Sequence, residues 1–269
     1  MMDKLAFAGS SQEYLDRCGL RTFAQFFEAQ GLVVNKNNRR DVTKLTLAGP
    51  PAKTVFIKRF HRPHLKDAFA AFRRFGRPMS QAGVEWSNAN YLLQNGIGTY
   101  RPLCFGEQVT CGFEQRSFLI TEQLESACLM DLILDRWQDL DRSAQESLVI
   151  EMAKLACRIH ALNISLPDLA VWHLFTPAAT FGQRYEFSVI DLHRMMRNAR
   201  STSCKIKDLG KLQWSMATRC FDDPLKDLLV STYAAGTGAN PDSLARAVTA
   251  HVRRLDKIHS ADRYYRHSA

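Results

Sequence analysis

Four short segments carry side chains that could do chemistry together. Lys58 closes the apolar run Val55-Phe-Ile-Lys58, and Glu85 lies in a segment with helical spacing that follows it. Asp168 opens Asp168-Leu-Ala-Val-Trp-His173, so a histidine stands five residues after the acid. Asp191 ends the apolar run Val189-Ile-Asp191 and is followed by Leu-His. A strand-borne lysine can supply the fixed cation that a nucleotide's phosphates need, and a helical glutamate can hold that lysine in position. One carboxylate can orient a hydroxyl beside a phosphate, and a second suits Mg²⁺, which prefers hard oxygen ligands. Taken singly, most of these residues have plainer readings. Lys58 fits a surface lysine at a strand end, Glu85 a solvated helix charge, and Asp168 a turn residue behind Pro167. Asp191 is harder to dismiss, because a charge in an apolar strand needs a reason.

The intervening sequence reads as elements able to position these groups. Gly31-Leu-Val-Val, Val42–Leu47 and Thr54–Lys58 are apolar and β-branched, with Asn35, Asn37, Asn38 and Gly49-Pro-Pro between them, which predicts an antiparallel meander. A helix is expected over 80–94, with Val84, Ala89, Leu92 and Leu93 as its apolar face and Asn95-Gly96 as its stop. Strands are expected around 103–106 and 117–121. Beyond residue 125 the pattern turns helical. Leu148, Met152, Leu155, Ala156 and Ile159 recur at helical spacing within 147–162, and further helices are expected near 209–218, 224–235 and 243–258. Lysine, glutamate, aspartate with a ligand five residues on, and a second aspartate is the order of parts in a eukaryotic-like kinase fold. The fold class expected is therefore α+β and bilobal, a small β-rich lobe with one helix before a larger α-rich lobe. Residues 1–29 read as an N-terminal extension, 30–124 as the first lobe with a hinge near 122–124, and 125–269 as the second.

Composition bounds the alternatives. At 269 residues, 46% hydrophobic and 23% charged, the chain can bury a sizeable core and is not expected to be disordered. No apolar run approaches the ~18 residues of a membrane span. The first residues hold Asp3 and no apolar stretch of signal-peptide length, so secretion is not expected. Lys+Arg number 36 against 27 Asp+Glu, a net charge of +9, which favours an anionic partner without choosing among nucleic acid, phosphorylated substrate or acidic membrane. Seven cysteines, dispersed and without a C-x-x-C pair, suggest free thiols in a reducing cytoplasm. His61 and His64 form the only close histidine pair and read as a basic turn rather than a zinc site.

Several stretches resemble the lipopolysaccharide kinase family, whose members phosphorylate heptose or Kdo sugars of the lipopolysaccharide inner core. They are Phe56-Ile-Lys-Arg-Phe60, Glu85-Trp86, Leu92-Leu-Gln-Asn-Gly-Ile-Gly-Thr-Tyr-Arg-Pro102, His160-Ala-Leu-Asn-Ile164, Asp168–His173, Ile190-Asp-Leu-His-Arg194 and Lys207-Asp-Leu-Gly-Lys-Leu212. The resemblance spans roughly 30–235. Its most specific elements are the histidine five places after Asp168 and the Asp191-Leu-His-Arg tetrad, where ordinary protein kinases carry asparagine and Asp-Phe-Gly. It implies ATP and Mg²⁺ as cofactors. Lys58 would contact the ATP phosphates and pair with Glu85. Asp168 would be the catalytic aspartate facing the sugar hydroxyl, Asp191 would bind Mg²⁺, and His173 would stand at the second metal position. The Glu122-Gln-Leu124 backbone would meet adenine. The acceptor would be lipopolysaccharide core or a lipid-linked glycolipid. A cytoplasmic location with peripheral contact to anionic inner-membrane lipids is implied, and no nucleic acid. A basic stretch from Lys58 to Arg77, interleaved with Phe60, Phe69, Phe72 and Phe75, is either a solvated amphipathic helix or a surface for anionic headgroups.

The chain departs from the family pattern in places. Leu166-Pro167 stand where relatives have His-Arg, so no control by activation-loop phosphorylation is expected. The turn Asn35–Arg40 expected to cover the phosphates holds no glycine, and Lys36, Arg39 or Arg40 would act there by charge. No Ala-Pro-Glu motif follows Asp191. These departures keep open a kinase acting on a protein tyrosine or a small molecule, and a non-catalytic scaffold at the membrane. His173 argues against the small-molecule kinases, which carry asparagine there.

Overall fold

The computed structural model describes residues 2–61, 79–110 and 113–265. The chain divides into two compact units, Met1–Leu124 and Glu125–Ala269. The first holds β1 (Met2–Phe7), α1 (Ser11–Arg17), α2 (Phe23–Glu28), β2 (Leu32–Lys36), β3 (Arg40–Leu47), β4 (Lys53–Phe60), α3 (Gln81–Gln94), β5 (Gly98–Thr99), β6 (Pro102–Thr110) and β7 (Phe113–Glu122). Six of its strands form one sheet in the order β1-β6-β7-β4-β3-β2, with every pairing antiparallel.

Residues 2–28 are part of this unit rather than an extension to it. β1 pairs with β6 from Met2↔Val109 to Phe7↔Cys104. Leu15, Phe23 and Phe26 enter the core formed with Val55, Ile57, Phe118 and Ile120. Burying these large aromatic side chains explains why the segment cannot stand apart. Strands β6 and β7 are longer than their apolar centres suggested. Polar residues prolong them, because the ladder satisfies their backbones and the side chains pair: Gln108 donates to Asp3 at 2.9 Å and accepts from Arg116.

The β2–β3 turn manages without glycine because Asn37 braces it. Its side-chain oxygen accepts from the N–H groups of Arg39 (2.9 Å) and Arg40 (3.0 Å), the substitute that asparagine offers in tight turns. Helix α3 starts at Ser80, whose Oγ accepts from Gly83 N at 3.1 Å. It stops at Asn95-Gly96, where Gly96 takes φ +71°. Its inward face carries Val84, Glu85, Asn88, Ala89 and Leu92, while Leu93, expected on that face, is 39% exposed. A helical phase that holds Glu85 and Leu92 inward turns Leu93 out.

The second unit holds β8 (Ala127–Cys128), α4 (Leu129–Arg136), α5 (Arg142–Ala161), β9 (Leu174–Thr176), β10 (Ser188–Val189), α6 (Thr202–Trp214), α7 (Asp223–Thr237) and α8 (Pro241–Asp256). Helix α5 is its axis, with Leu148, Met152, Leu155, Ala156 and Ile159 fully buried and α7 packed alongside. Helix α8 packs on α6 and α7. Helix α6 begins seven residues before its expected start and ends at Trp214. Its first two turns are polar and partly exposed, so they carry no apolar signal. It stops where the Ser215 hydroxyl donates back to Leu212 O at 2.6 Å. No helix among the described residues is long and apolar enough to cross a membrane. The described cysteines are free thiols. His64 and the basic stretch beyond His61 fall outside the described residues.

Candidate active site

Strand alternation positions the candidate residues of the N-terminal unit. In β4, Ile57 and Arg59 face one side of the sheet and Lys58 the other. Arg59 donates to Asp41 (2.8 Å) and Thr43 (2.7 Å), while Ile57 joins the core with α2. Lys58 instead donates from Nζ to Glu85 Oε1 at 2.5 Å, across 27 residues of sequence. The carboxylate is 2% exposed and the lysine side chain 16%. A pair this dry is charge-assisted and oriented, unlike a surface ion pair. Glu122, the last residue of β7, ion-pairs with Lys53 and lies 4.0 Å from Arg101. Its N–H donates to Arg101 O and that of Gln123 to Thr54 O, which tie Glu122 and Gln123 to the neighbouring backbone.

In the C-terminal unit the candidate residues stand on an irregular loop, 165–173, pinned at several points. Ser165 and Met196 exchange backbone hydrogen bonds at 2.9 Å. Leu166 N donates to Asp208 Oδ2 at 2.7 Å. Val171 N donates to the Ser215 hydroxyl at 2.9 Å. Asp208 is buried beside His160, whose Nε2 lies 3.3 Å from the same oxygen and whose Nδ1 meets the Tyr233 hydroxyl at 2.7 Å. Burial pushes the Tyr233 phenol up, so it keeps its proton. Nε2 faces the Asp208 carboxylate, which can only accept. Leu166 itself is buried. The loop is therefore held through its backbone, with Leu166-Pro167 at the positions where the resemblance implies His-Arg.

These anchors present two side chains. Asp168 accepts from Arg194 on Oδ1 at 2.9 Å. Its Oδ2 is buried and accepts no hydrogen bond from the described residues. A buried carboxylate oxygen without a donor is costly and is seldom kept unless a ligand uses it. His173 folds back so that Nδ1 lies 2.7 Å from Asp168 O. That bond fixes the tautomer and leaves Nε2 with its lone pair, as in metal-ligating histidines, although a structural histidine makes the same bond. Asp191 was expected at a strand end. It lies instead in a turn beyond the two-residue β10, at φ +62°. That left-handed conformation is uncommon for a non-glycine residue and marks functional turns. Its Oδ1 lies 2.9 Å from His193 Nδ1.

In the C-terminal unit, Asp168, His173 and Asp191 line one recess with Leu166, Pro167, Val189 and Met195. Lys58, Glu85, Glu122 and Leu124 belong to the N-terminal unit. Sequence reasoning did not single out Arg194 as the partner of Asp168, nor Asp208, His160 and Ser215 as loop anchors. Asp208 did leave a signal: it shares a helical phase with Leu209 and Leu212, all three buried.

A model of the lipopolysaccharide kinase (Kdo/WaaP) family matches residues 24–233. The chain belongs to this family. Among similar proteins is the lipopolysaccharide core heptose(I) kinase WaaP of Escherichia coli, 26% identical over 229 residues that cover 78% of this chain and 85% of that protein. The enzyme of the same name from Pseudomonas aeruginosa is 27% identical over 143 residues, 51% of this chain and 53% of that protein. A solved structure, WaaP in complex with acyl carrier protein, superposes with a TM-score of 0.71 at 19% identity, covering 98% of this chain and all of that one. The fold is thus the α+β kinase-like fold, and membership in the lipopolysaccharide kinase family makes the protein a phosphotransferase.

Proposed function

We propose that the protein transfers the γ-phosphate of ATP to a sugar hydroxyl, of heptose or Kdo, in the lipopolysaccharide inner core. The observation that carries this reading is the state of Asp168. One oxygen is held by Arg194, the other is without a protein donor, and the loop is braced from Asp208 and Ser215. A hydroxyl donating to Oδ2 would be oriented for attack, and the carboxylate would take its proton as the bond to the γ-phosphorus forms and the bond from that phosphorus to the ADP leaving group breaks. Lys58, set by Glu85, would neutralise phosphate charge on the nucleotide. The Glu122–Leu124 backbone is the proposed adenine contact, with 122–124 as the proposed hinge at the end of the first unit. Asp191, with His173 through Nε2, is the donor set proposed for Mg²⁺. A carboxylate suits that ion, and the ion would offset charge on the transferring phosphate. The acceptor is anchored in a bilayer, so the proposal includes a peripheral stay at the inner membrane's cytoplasmic face.

Transfer of labelled γ-phosphate from ATP to purified, dephosphorylated core lipopolysaccharide, with and without Mg²⁺, tests the reading. Wild type is expected to label the acceptor and Asp168→Ala to leave it unlabelled, with mass spectrometry naming the sugar. ATP binding without transfer to either sugar would overturn it.

A further inference from the structure

Beyond Asp168, which faces the reacting hydroxyl, nothing above assigns a residue to the rest of the acceptor. Lys211 lies one helical turn beyond Asp208 on α6, and its surroundings are unusual for a lysine. Its Nζ lies 3.8 Å from the centre of the Trp214 ring and 5.3 Å from that of Trp172. Among the described residues its ammonium meets these two aromatic faces and makes no ion pair or hydrogen bond. Trp172 lies within the pinned loop, between Asp168 and His173, and stacks on Tyr264 with ring centres 4.2 Å apart. Tyr264 carries Arg263 over its own face at 4.7 Å.

Burial, with Arg194 and Arg263 nearby, lowers the Lys211 ammonium to about 8, and only Asp168 pulls the other way. The one carboxylate that favours the Lys211 charge already pairs with Arg194. Packing does not explain this arrangement, since the lysine stem could cover the tryptophans with its charge in water. Aromatic faces offset part of the desolvation of an ammonium but do not neutralise it. An excess of positive charge beside a catalytic carboxylate fits a substrate that brings an anion of its own, next to the hydroxyl it presents.

We propose that Lys211, with Arg263 behind it and Trp172 beneath, forms an acceptor subsite that binds a carboxylate or phosphate group carried by the acceptor sugar chain. This rests on the phosphotransfer reading above and adds to it the residue that selects an acidic acceptor.

The test uses the full chain and deacylated core oligosaccharide in three forms: intact, with carboxyl groups reduced to alcohols, and with phosphates removed. Lys211→Met keeps the stem against the tryptophans and removes the charge, while Lys211→Arg restores the charge. With the intact acceptor, Lys211→Met is expected to raise the acceptor KM by about tenfold, the size of one lost charge-assisted contact. KM for ATP and kcat should stay within about twofold, and Lys211→Arg should recover most of the loss. One neutralised acceptor should show the same loss on wild type and no further loss on Lys211→Met, which names the anion. A rise in KM for ATP instead, or an equal penalty with every acceptor form, would overturn the subsite. Quenching of tryptophan fluorescence by the intact oligosaccharide, without ATP, separates the two proposals. Binding that depends on Lys211 but leads to no transfer would sink the phosphotransfer reading and leave the subsite standing. Binding unaffected by Lys211→Met would sink the subsite alone.

Discussion

The two units hold their functional side chains in different ways. In the N-terminal unit, Lys58 and Glu85 project from a regular strand and a regular helix, and one 2.5 Å contact joins them. In the C-terminal unit, Asp168 stands on a loop without regular structure. Its position depends on side chains 42 and 44 residues away from the backbone groups they bond. Regular elements orient side chains by their own periodicity. A loop has no such frame, so its backbone N–H groups must find distant partners. Precision in the second unit therefore rests on a buried polar network, in which one missing member leaves others unsatisfied.

That contrast can be broken or sharpened by mutation. The largest effect is expected from Asp168→Ala, which removes the hydroxyl-orienting carboxylate. Initial rates should fall by about 10³-fold while thermal unfolding changes little. Lys58→Met should cost about 10²-fold in kcat/KM. A double-mutant cycle with Glu85→Gln should show strong coupling, because each residue works through the other. Additive losses would show that the pair does not act as a unit. Ser215→Ala removes the acceptor for Val171 N and should cost roughly 1–3 kcal/mol of stability. It should also lower kcat by about tenfold, since a loop shift misplaces Asp168. A smaller, pH-dependent effect is expected at Lys211. Its ammonium is held at about 8, so affinity for an acidic acceptor should weaken as pH rises through that value. Asp168, Arg194 and Arg263 face it. His251 and His259 also lie near, but burial and neighbouring cations hold both below the ordinary histidine value, so they stay neutral in that range. The sign for stability is opposite to that for binding. Below about 8 the folded chain bears the full cost of a buried ammonium, and it sheds that cost as pH rises from there toward the ordinary lysine value. The smallest change should come from Ser80→Ala, which removes the cap of α3. It should lower stability by about 1 kcal/mol and leave turnover within about twofold, because Glu85 stays in phase on the remaining helix.

The elements legible in the sequence were those whose signals are local. Val55, Ile57 and Lys58 alternate, and Ser80 and Gly96 bracket α3 where a helix should start and stop. The face of α5 shows in the spacing of Leu148, Met152, Leu155 and Ile159. β1 was missed because Lys4 and Asp3 interrupt its short run, and its strand character comes from pairing with β6 about a hundred residues away. The left-handed turn at Asp191 was read as a strand end, because an apolar run does not reveal where its last residue turns.

The sequence by itself determined the family, the order lysine, glutamate, aspartate, aspartate, and the division into a β-rich and an α-rich part. These follow from residue types at fixed spacings, which need no knowledge of distant contacts. Only the tertiary structure decided which groups hold the Asp168 loop, that Arg194 takes one of its oxygens, and that Lys211 lies against two tryptophans without an ion pair among the described residues. A buried polar group is defined by its partners, and those partners lie tens of residues away in the chain, where no local pattern records them.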